Sequence, residues 1–180
     1  MQLQTAENNS NSENLTFEKT WAMFQELREE MKETDRRIGE LSNRFGELAE
    51  HMVAPNIREK FNALNFTFDQ IAQNVTISDA AGRFLAEIDI LLENGDIAIA
   101  VEVKAKALYK HVDEHIKRME VLRSRANSRG DKRRFCGAIA GAIMSEEVRN
   151  YAHKTGFYVI EQTGDTVKIS VPDGFKPREW

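Results

Sequence analysis

The stretch that most restricts how this chain can fold is Glu87–Lys104, EIDILLENGDIAIAVEVK. Two runs of alternating apolar residues flank Asn94-Gly95, a pair that favours a two-residue hairpin turn. With Asn94 and Gly95 at the tip, Glu93 faces Asp96, Asp89 faces Ala100 and Glu87 faces Glu102. Successive side chains of a strand point to opposite faces. Ile88, Ile90 and Leu92 therefore share a face with Ile97, Ile99, Val101 and Val103. The other face takes Glu87, Asp89, Ala98, Ala100, Glu102 and Lys104.

That second face concentrates charge of one sign. Like charges opposite each other destabilise a sheet, yet Glu87, Asp89 and Glu102 crowd together with one lysine beside them. Ala98 and Ala100 keep the surrounding surface low, so another group can approach. A divalent cation would remove the repulsion, and oxygen ligands suit Mg2+ or Mn2+. The plainer alternative is a hairpin face whose charges are simply solvated.

Asp89, a gap of twelve residues and then Glu102-Val103-Lys104 resembles the active-site signature of the PD-(D/E)XK nuclease superfamily, which includes many restriction endonucleases, Holliday-junction resolvases and repair nucleases. The resemblance covers about residues 44–165. It implies an α/β, restriction-endonuclease-like fold: an αβββαβ core whose mixed sheet is flanked by helices. It also implies that Asp89 and Glu102 ligate a catalytic metal and that Lys104 assists the attacking water. Ile88 stands where the signature names proline, a position that varies widely in the superfamily. Many members add a glutamate from the preceding helix; Glu47, counted here with the metal ligands, or Glu50 fits that role in GELAEHMV. The motif gains weight from lying across an Asn-Gly hairpin and after a helix that bears glutamates. A long polar helix leading into such a domain also resembles uncharacterised bacterial members of the superfamily.

A length of 180 residues suits one domain with an appendage. The net charge of −4 gives no overall basic signature. Cys136 is the one cysteine, so no internal disulfide framework exists, which fits a reducing compartment. The start of the chain lacks a basic-then-apolar leader, and the apolar run from Cys136 to Met144 is too short to span a bilayer. A soluble, cytoplasmic protein is expected. No phosphate-binding glycine loop, zinc-finger spacing or Ser-His-Asp arrangement is visible.

Residues 1–14 are rich in Asn, Ser, Gln and Glu and have little to bury, so they are expected to be disordered. One long helix is expected from Leu15 to about Val53. Phe17, Trp21, Phe24, Met31, Ile38, Phe45 and Met52, with Leu41 and Leu48 alongside, alternate spacings of three and four as a coiled-coil seam does. Arg28 and Asp35 interrupt that seam. Residues 15–43 thus read as an oligomerisation helix, giving a homodimer or higher oligomer; the alternative is an amphipathic helix packed on its own domain. The stretch from Arg44 to Val53 is assigned to the nuclease-like domain, residues 44–171. Pro55 predicts a break, with a short helix resuming over residues 56–63.

A first strand is expected within Phe66–Ser78. After the hairpin, Tyr109 to about Arg125 reads as a helix whose stripe is Val112, Ile116, Met119 and Leu122. His111 and His115, four apart on it, are expected at the surface because no third ligand is evident nearby. Phe135–Met144 reads as a buried strand. Ser145 caps a helix with Glu146 and Glu147 in its first turn, ended by Gly156. Strands follow at Phe157–Gln162 and Val167–Val171. The last nine residues, 172–180, form an irregular tail.

Basic character is local. Residues 104–134 hold eleven Lys or Arg against four acids, although the whole chain is acidic. Lys106, Arg123, Arg125, Arg129, Lys132, Arg133 and Arg134 form the expected phosphate-contacting set, since basic clusters supply sequence-independent affinity for nucleic acid. An ordinary solvated loop is the alternative. Together these features predict a Mg2+-dependent (or Mn2+-dependent) nuclease acting on DNA, with RNA as the other candidate substrate. The competing expectation is a non-catalytic nucleic-acid-binding or assembly module that retains the fold.

Overall fold

The computed structural model describes residues 17–164 and 166–180, apart from the side chains of residues 17, 18, 20 and 38–55. The chain divides into two compact units, residues 1–41 and 42–180. Helix α1 (Phe17–Asn62) crosses the division. The expected disordered tail, residues 1–14, lies outside the described residues.

In the first unit, α1 leaves Phe24 and Met31 exposed, at 61% each. Glu29–Lys32 and Glu33 with Arg36 and Arg37 form ion pairs three or four residues apart, the separation that brings helical side chains together. Ile38, Leu41, Phe45, Leu48 and Met52 of the expected seam lie outside the described side chains, as do Glu47 and Glu50.

One expectation fails within α1. The helix does not break at Pro55 but continues to Asn62. Proline removes one intrahelical hydrogen bond. Beyond it, however, Ile57 and Phe61 are completely buried, and tertiary packing, more than propensity, decides helix extent.

The second unit is built on a six-stranded sheet in the order β1 (Gln70–Ser78), β2 (Phe84–Glu93), β3 (Ile97–Lys106), β4 (Arg134–Ile143), β5 (Tyr158–Thr163) and β6 (Thr166–Ser170). Antiparallel pairing joins β1 to β2 and β2 to β3; β4 then runs parallel to β3 and β5 parallel to β4. The antiparallel β6 closes the edge. Each parallel step is made by a helix, α2 (Tyr109–Ser128) and α3 (Glu146–Lys154), because a parallel crossover needs a long connection. The order α1-β1-β2-β3-α2-β4 is the αβββαβ core of a restriction-endonuclease-like fold, extended by α3, β5 and β6.

The sheet has a core on each side. Ile57 and Phe61 pack with Ile90, Leu92, Ile99, Val101 and Tyr158 on one side. On the other, Val112, Met119 and Leu122 of α2 pack with Ala98, Ala100, Phe135 and Ile139. The apolar face assigned to the hairpin holds for Ile97, Ile99, Val101 and Val103 of β3 and for Ile90 and Leu92 of β2, but Ile88, expected on that face, joins the α2-side core with Ala86 and Leu91. The hairpin's second face is not open, however: Ala98 and Ala100 are fully buried, and the group that approaches them is this chain's own α2.

The hairpin register is also corrected. Glu93 pairs with Ala98, Leu92 with Ile99 and Ile90 with Val101, which shifts the expected pairing by two residues. A two-residue type I′ turn needs positive φ at both central residues, and neither Asn94 nor Gly95 has it. Instead Asn94 Oδ1 accepts from the Asp96 and Ile97 amides at 2.8 and 2.9 Å. This side-chain turn makes a longer tip. A shift of two does not by itself turn a side chain to the other face, and Lys104 Nζ lies near both Asp89 and Glu102.

Among the described residues, no helix is long and apolar enough to cross a membrane.

Candidate active site

The site lies where two strands part. Strands β2 and β3 pair only over residues 90–93 and 98–101. Beyond that point β2 continues alongside β1, through Glu87 opposite Thr76, and β3 continues alongside β4, through Glu102 opposite Ile139. Asp89 and Glu102 are the first charged residues past the divergence. Glu87, expected opposite Glu102, is exposed and belongs to the β1–β2 ladder.

Glu102 is completely buried. An isolated carboxylate in such a place is very costly, so buried charges are paired or bind metal. Lys104 Nζ stands 2.5 Å from Glu102 Oε1, and Arg118 Nη1 of α2 contacts Oε2. His115 Nδ1 is 3.9 Å from that same oxygen. Neither oxygen of Glu102 has a well-aligned hydrogen bond, and the same holds for Arg118 Nη1 and His115 Nδ1. The carboxylate is thus electrostatically compensated, with one cationic nitrogen against each of its oxygens.

Asp89 is less buried and differently tied. Its Oδ2 accepts from the Val103 amide at 2.7 Å and lies 3.6 Å from Lys104 Nζ. Burial, and then the Glu102 carboxylate, push its pKa above the ordinary aspartate value, against the pull of Lys104. The structure therefore unites Asp89, Glu102 and Lys104. Two carboxylates brought to one lysine, one of them with unaligned buried oxygens, fit a hard divalent cation. No group of three or more acidic, His or Cys side chains suited to a metal exists among the described residues. The side chains of Glu47 and Glu50 lie outside those residues.

Two contributors escaped the sequence reading. His115 is not at the surface: it is wholly buried, stacked near Phe157 at 5.0 Å between ring centroids. Its Nε2 donates to the Ala100 carbonyl at 3.0 Å, since a carbonyl can only accept. That leaves Nδ1 as the bare nitrogen facing Glu102. Burial lowers its pKa to about 4, so the ring is neutral near pH 7. The signal was present: 112, 115, 119, 122 and 126 alternate spacings of three and four, and all five are buried. His111, half-buried, accepts from the Leu108 amide through Nδ1 at the start of α2. Arg118, three residues beyond His115, was counted among the basic residues but assigned no role. Its sequence neighbourhood does not reveal that it reaches β3.

The basic set is dispersed in its commitments. Arg123 donates to the Arg133 and Asp131 carbonyls and lies over the Phe135 ring, 4.9 Å from its centroid. Arg133 is bound to Asp131 and Glu93, each at 2.7 Å, and Arg134 to Glu179 at 3.1 Å. Arg125 is half-buried, whereas Lys106, Arg129 and Lys132 are exposed. Lys106 ends β3, opposite Ile143, while the loop carrying Arg129 and Lys132 enters β4 at Arg134, opposite Ile97. Arg134 lies five positions along β4 from Ile139, the partner of Glu102, a span of roughly 16 Å along the strand.

No family model matches the chain, and no curated protein does. Among solved structures, it is similar to the small subunit of the heterodimeric restriction endonuclease R.BspD6I, at 18% identity and a TM-score of 0.32, over 67% of this chain and 72% of that one. A likeness that low carries no argument about chemistry here; the fold stands on its strand order and the site on its own geometry.

Proposed function

We propose that this chain is a metal-dependent nuclease that hydrolyses phosphodiester bonds, with DNA as the first substrate to examine and RNA the second. The observation that carries the reading is the buried Glu102 carboxylate, unaligned with any donor, beside Asp89 and Lys104 at the β2–β3 divergence. Asp89 and Glu102 would hold Mg2+ or Mn2+, with Glu47 or Glu50 completing the set. Such an ion polarises the phosphate and lowers the pKa of a bound water. Lys104, within reach of both carboxylates, orients that water or stabilises charge developing on the phosphate. Lys106, Arg129 and Lys132 supply exposed positive charge for the nucleic-acid backbone. Self-association through the exposed apolar side chains of α1 would bring two such sites together, as cutting both strands of a duplex requires.

One observation favours the second reading, a non-catalytic nucleic-acid-binding or assembly module that retains the fold. Lys104 and Arg118 already match the charges of Asp89 and Glu102, so the fold does not require a cation for charge balance. Incubating the purified protein with single-stranded, duplex and branched DNA and with RNA, in Mg2+ or Mn2+, separates the two. Cleavage lost on Glu102→Gln supports the nuclease. Binding without cleavage of any substrate supports the module.

A further inference from the structure

Arg118 occupies a position that the proposed chemistry leaves unexplained. Its guanidinium contacts Glu102 Oε2, whereas Lys104 contacts Oε1, and its side chain is 30% exposed. One end of the side chain thus meets a wholly buried acid while part of it remains in contact with solvent. Its seat is fixed by the helix it stands on: one turn earlier His115 ties α2 to β3 through the Ala100 carbonyl, and one residue later Met119 is completely buried. Gly137 makes this approach possible, because a side chain there would collide with the Phe157 ring that packs against His115.

The contact is strong in charge but poor in alignment. Arginine offers a planar fork suited to two parallel hydrogen bonds with a carboxylate or phosphate. Here Nη1 makes no aligned hydrogen bond, nor does either oxygen of Glu102. Such a pair compensates a buried charge without saturating it. A cation held between Asp89 and Glu102 would bring further positive charge to a carboxylate that the guanidinium already compensates.

Resting on the metal-dependent reading of the site, we propose that Arg118 is an exchangeable counter-ion: it neutralises Glu102 in the metal-free protein, yields that carboxylate to the incoming cation, and then presents its guanidinium to the phosphate of the nucleic acid. Arg118 and the cation are competitors for Glu102. Their antagonism is a coupling free energy, so removing one must tighten the other.

The test measures binding of Mn2+ alone by calorimetry, and thermal unfolding with and without Mn2+, on the full chain. Arg118→Ala should bind Mn2+ at least about fivefold more tightly than the original protein, the low end of usual coupling between sites. Its metal-free melting temperature should fall, because Glu102 is left buried with less compensation, and Mn2+ should raise it by more than it raises the original. Arg118→Lys, which keeps the charge but loses the fork, should lie between the two. Glu102→Gln combined with Arg118→Ala should recover the metal-free melting temperature and bind Mn2+ weakly. DNA affinity measured with Ca2+ should fall for Arg118→Ala, and the log–log salt slope should decrease by about one. Unchanged or weaker Mn2+ binding by Arg118→Ala, with the original protein binding normally, overturns this inference and leaves the nuclease reading intact. Absence of Mn2+ binding by the original protein overturns both. If Arg118→Ala does not fold, the Arg118→Lys isotherm decides: affinity no greater than that of the original protein rejects the competition.

Discussion

The backbone amide of Val103 donates to Asp89 Oδ2 at 2.7 Å, just past the last backbone pair that joins their strands, Ile90 with Val101. A side chain has taken the place of a ladder carbonyl. Buried amides must find acceptors, and Val103 is 2% exposed. Asp89 therefore lets β2 and β3 part without leaving a donor unsatisfied, and Glu102 lies just past the same parting.

Asp89→Ala and Asp89→Asn should consequently differ in metal-free stability. Alanine orphans the Val103 amide, at a cost of roughly 1–3 kcal/mol. Asparagine keeps an acceptor and removes a charge from beside Glu102, so it should be as stable as the original or slightly more so. Denaturant unfolding in EDTA measures the difference; equal losses for both variants would show that the amide bond contributes nothing separable.

Divalent cation should stabilise the folded protein in proportion to occupancy, by about 2.7 kcal/mol at a hundredfold excess over the dissociation constant. Asp89→Asn should lose most of that shift together with cleavage. Lys104→Ala should lose cleavage yet retain the shift, since an ammonium is not a ligand. Thermal scans with and without Mg2+ read the first quantity, and a cleavage assay the second. A full shift and full cleavage in Asp89→Asn would place the chemistry elsewhere.

Metal-free stability should fall as the solution is acidified below about pH 6.5. His115 is held neutral by burial, with its pKa lowered to about 4. Between the two values the unfolded chain takes up a proton that the folded chain refuses, so folding weakens as pH falls through that window, by about 3 kcal/mol in all. Burial dominates the effect and the Ala100 carbonyl partly offsets it; among the charged groups near the ring, Arg118 and Lys104 oppose its protonation and Asp89 favours it. Asp89 itself works in the reverse sense. Its pKa is raised, so its contribution is present at low pH and lost as pH rises through that elevated value. His115→Gln, which keeps an amide donor, should flatten the loss between pH 6.5 and 4; an unaltered slope would assign it to other groups.

The basic residues should separate by their existing partners. Arg129→Ala and Lys132→Ala remove exposed charge, and each that contacts a phosphate should reduce the log–log salt slope of DNA binding by about one, with little change in stability. Arg133→Ala breaks pairs to both Asp131 and Glu93 and should lower the melting temperature instead. A slope unchanged by all three would make the loop ordinary surface.

Self-association should depend on the exposed apolar positions of α1. Phe24→Asp with Met31→Asp should shift the full chain to a smaller species in light scattering at micromolar concentration while leaving its circular dichroism helical. A mass unaffected by the pair would remove the coiled-coil interpretation of residues 15–43.

Much of the site was legible before the fold, for a local reason. Alternation along Glu87–Lys104 has a period of two, and a register shift of two by itself turns no residue to the other face, although β2 departs from the alternation at Ile88, which joins the α2-side core. That pattern marked Asp89, Glu102 and Lys104 as neighbours, and in the fold Lys104 reaches both carboxylates. Ser145, whose hydroxyl accepts from the Val148 amide, and Gly156, with φ of 89°, marked the ends of α3 by chemistry that acts within a few residues. The tip conformation was not determined in this way, because Asn94 had two local options: positive φ, or a side-chain turn, which also lets its amide donate to the distant Thr67 carbonyl at 2.6 Å. Only packing carried α1 through Pro55, since the burial that offsets the lost hydrogen bond comes from strands far along the chain. Tertiary structure alone decided that Ala98 and Ala100 admit a helix rather than solvent, and that the helix brings His115 and Arg118 to Glu102. Those contacts join residues of α2 and β3 whose meeting depends on the crossover, and no periodicity within either element encodes it.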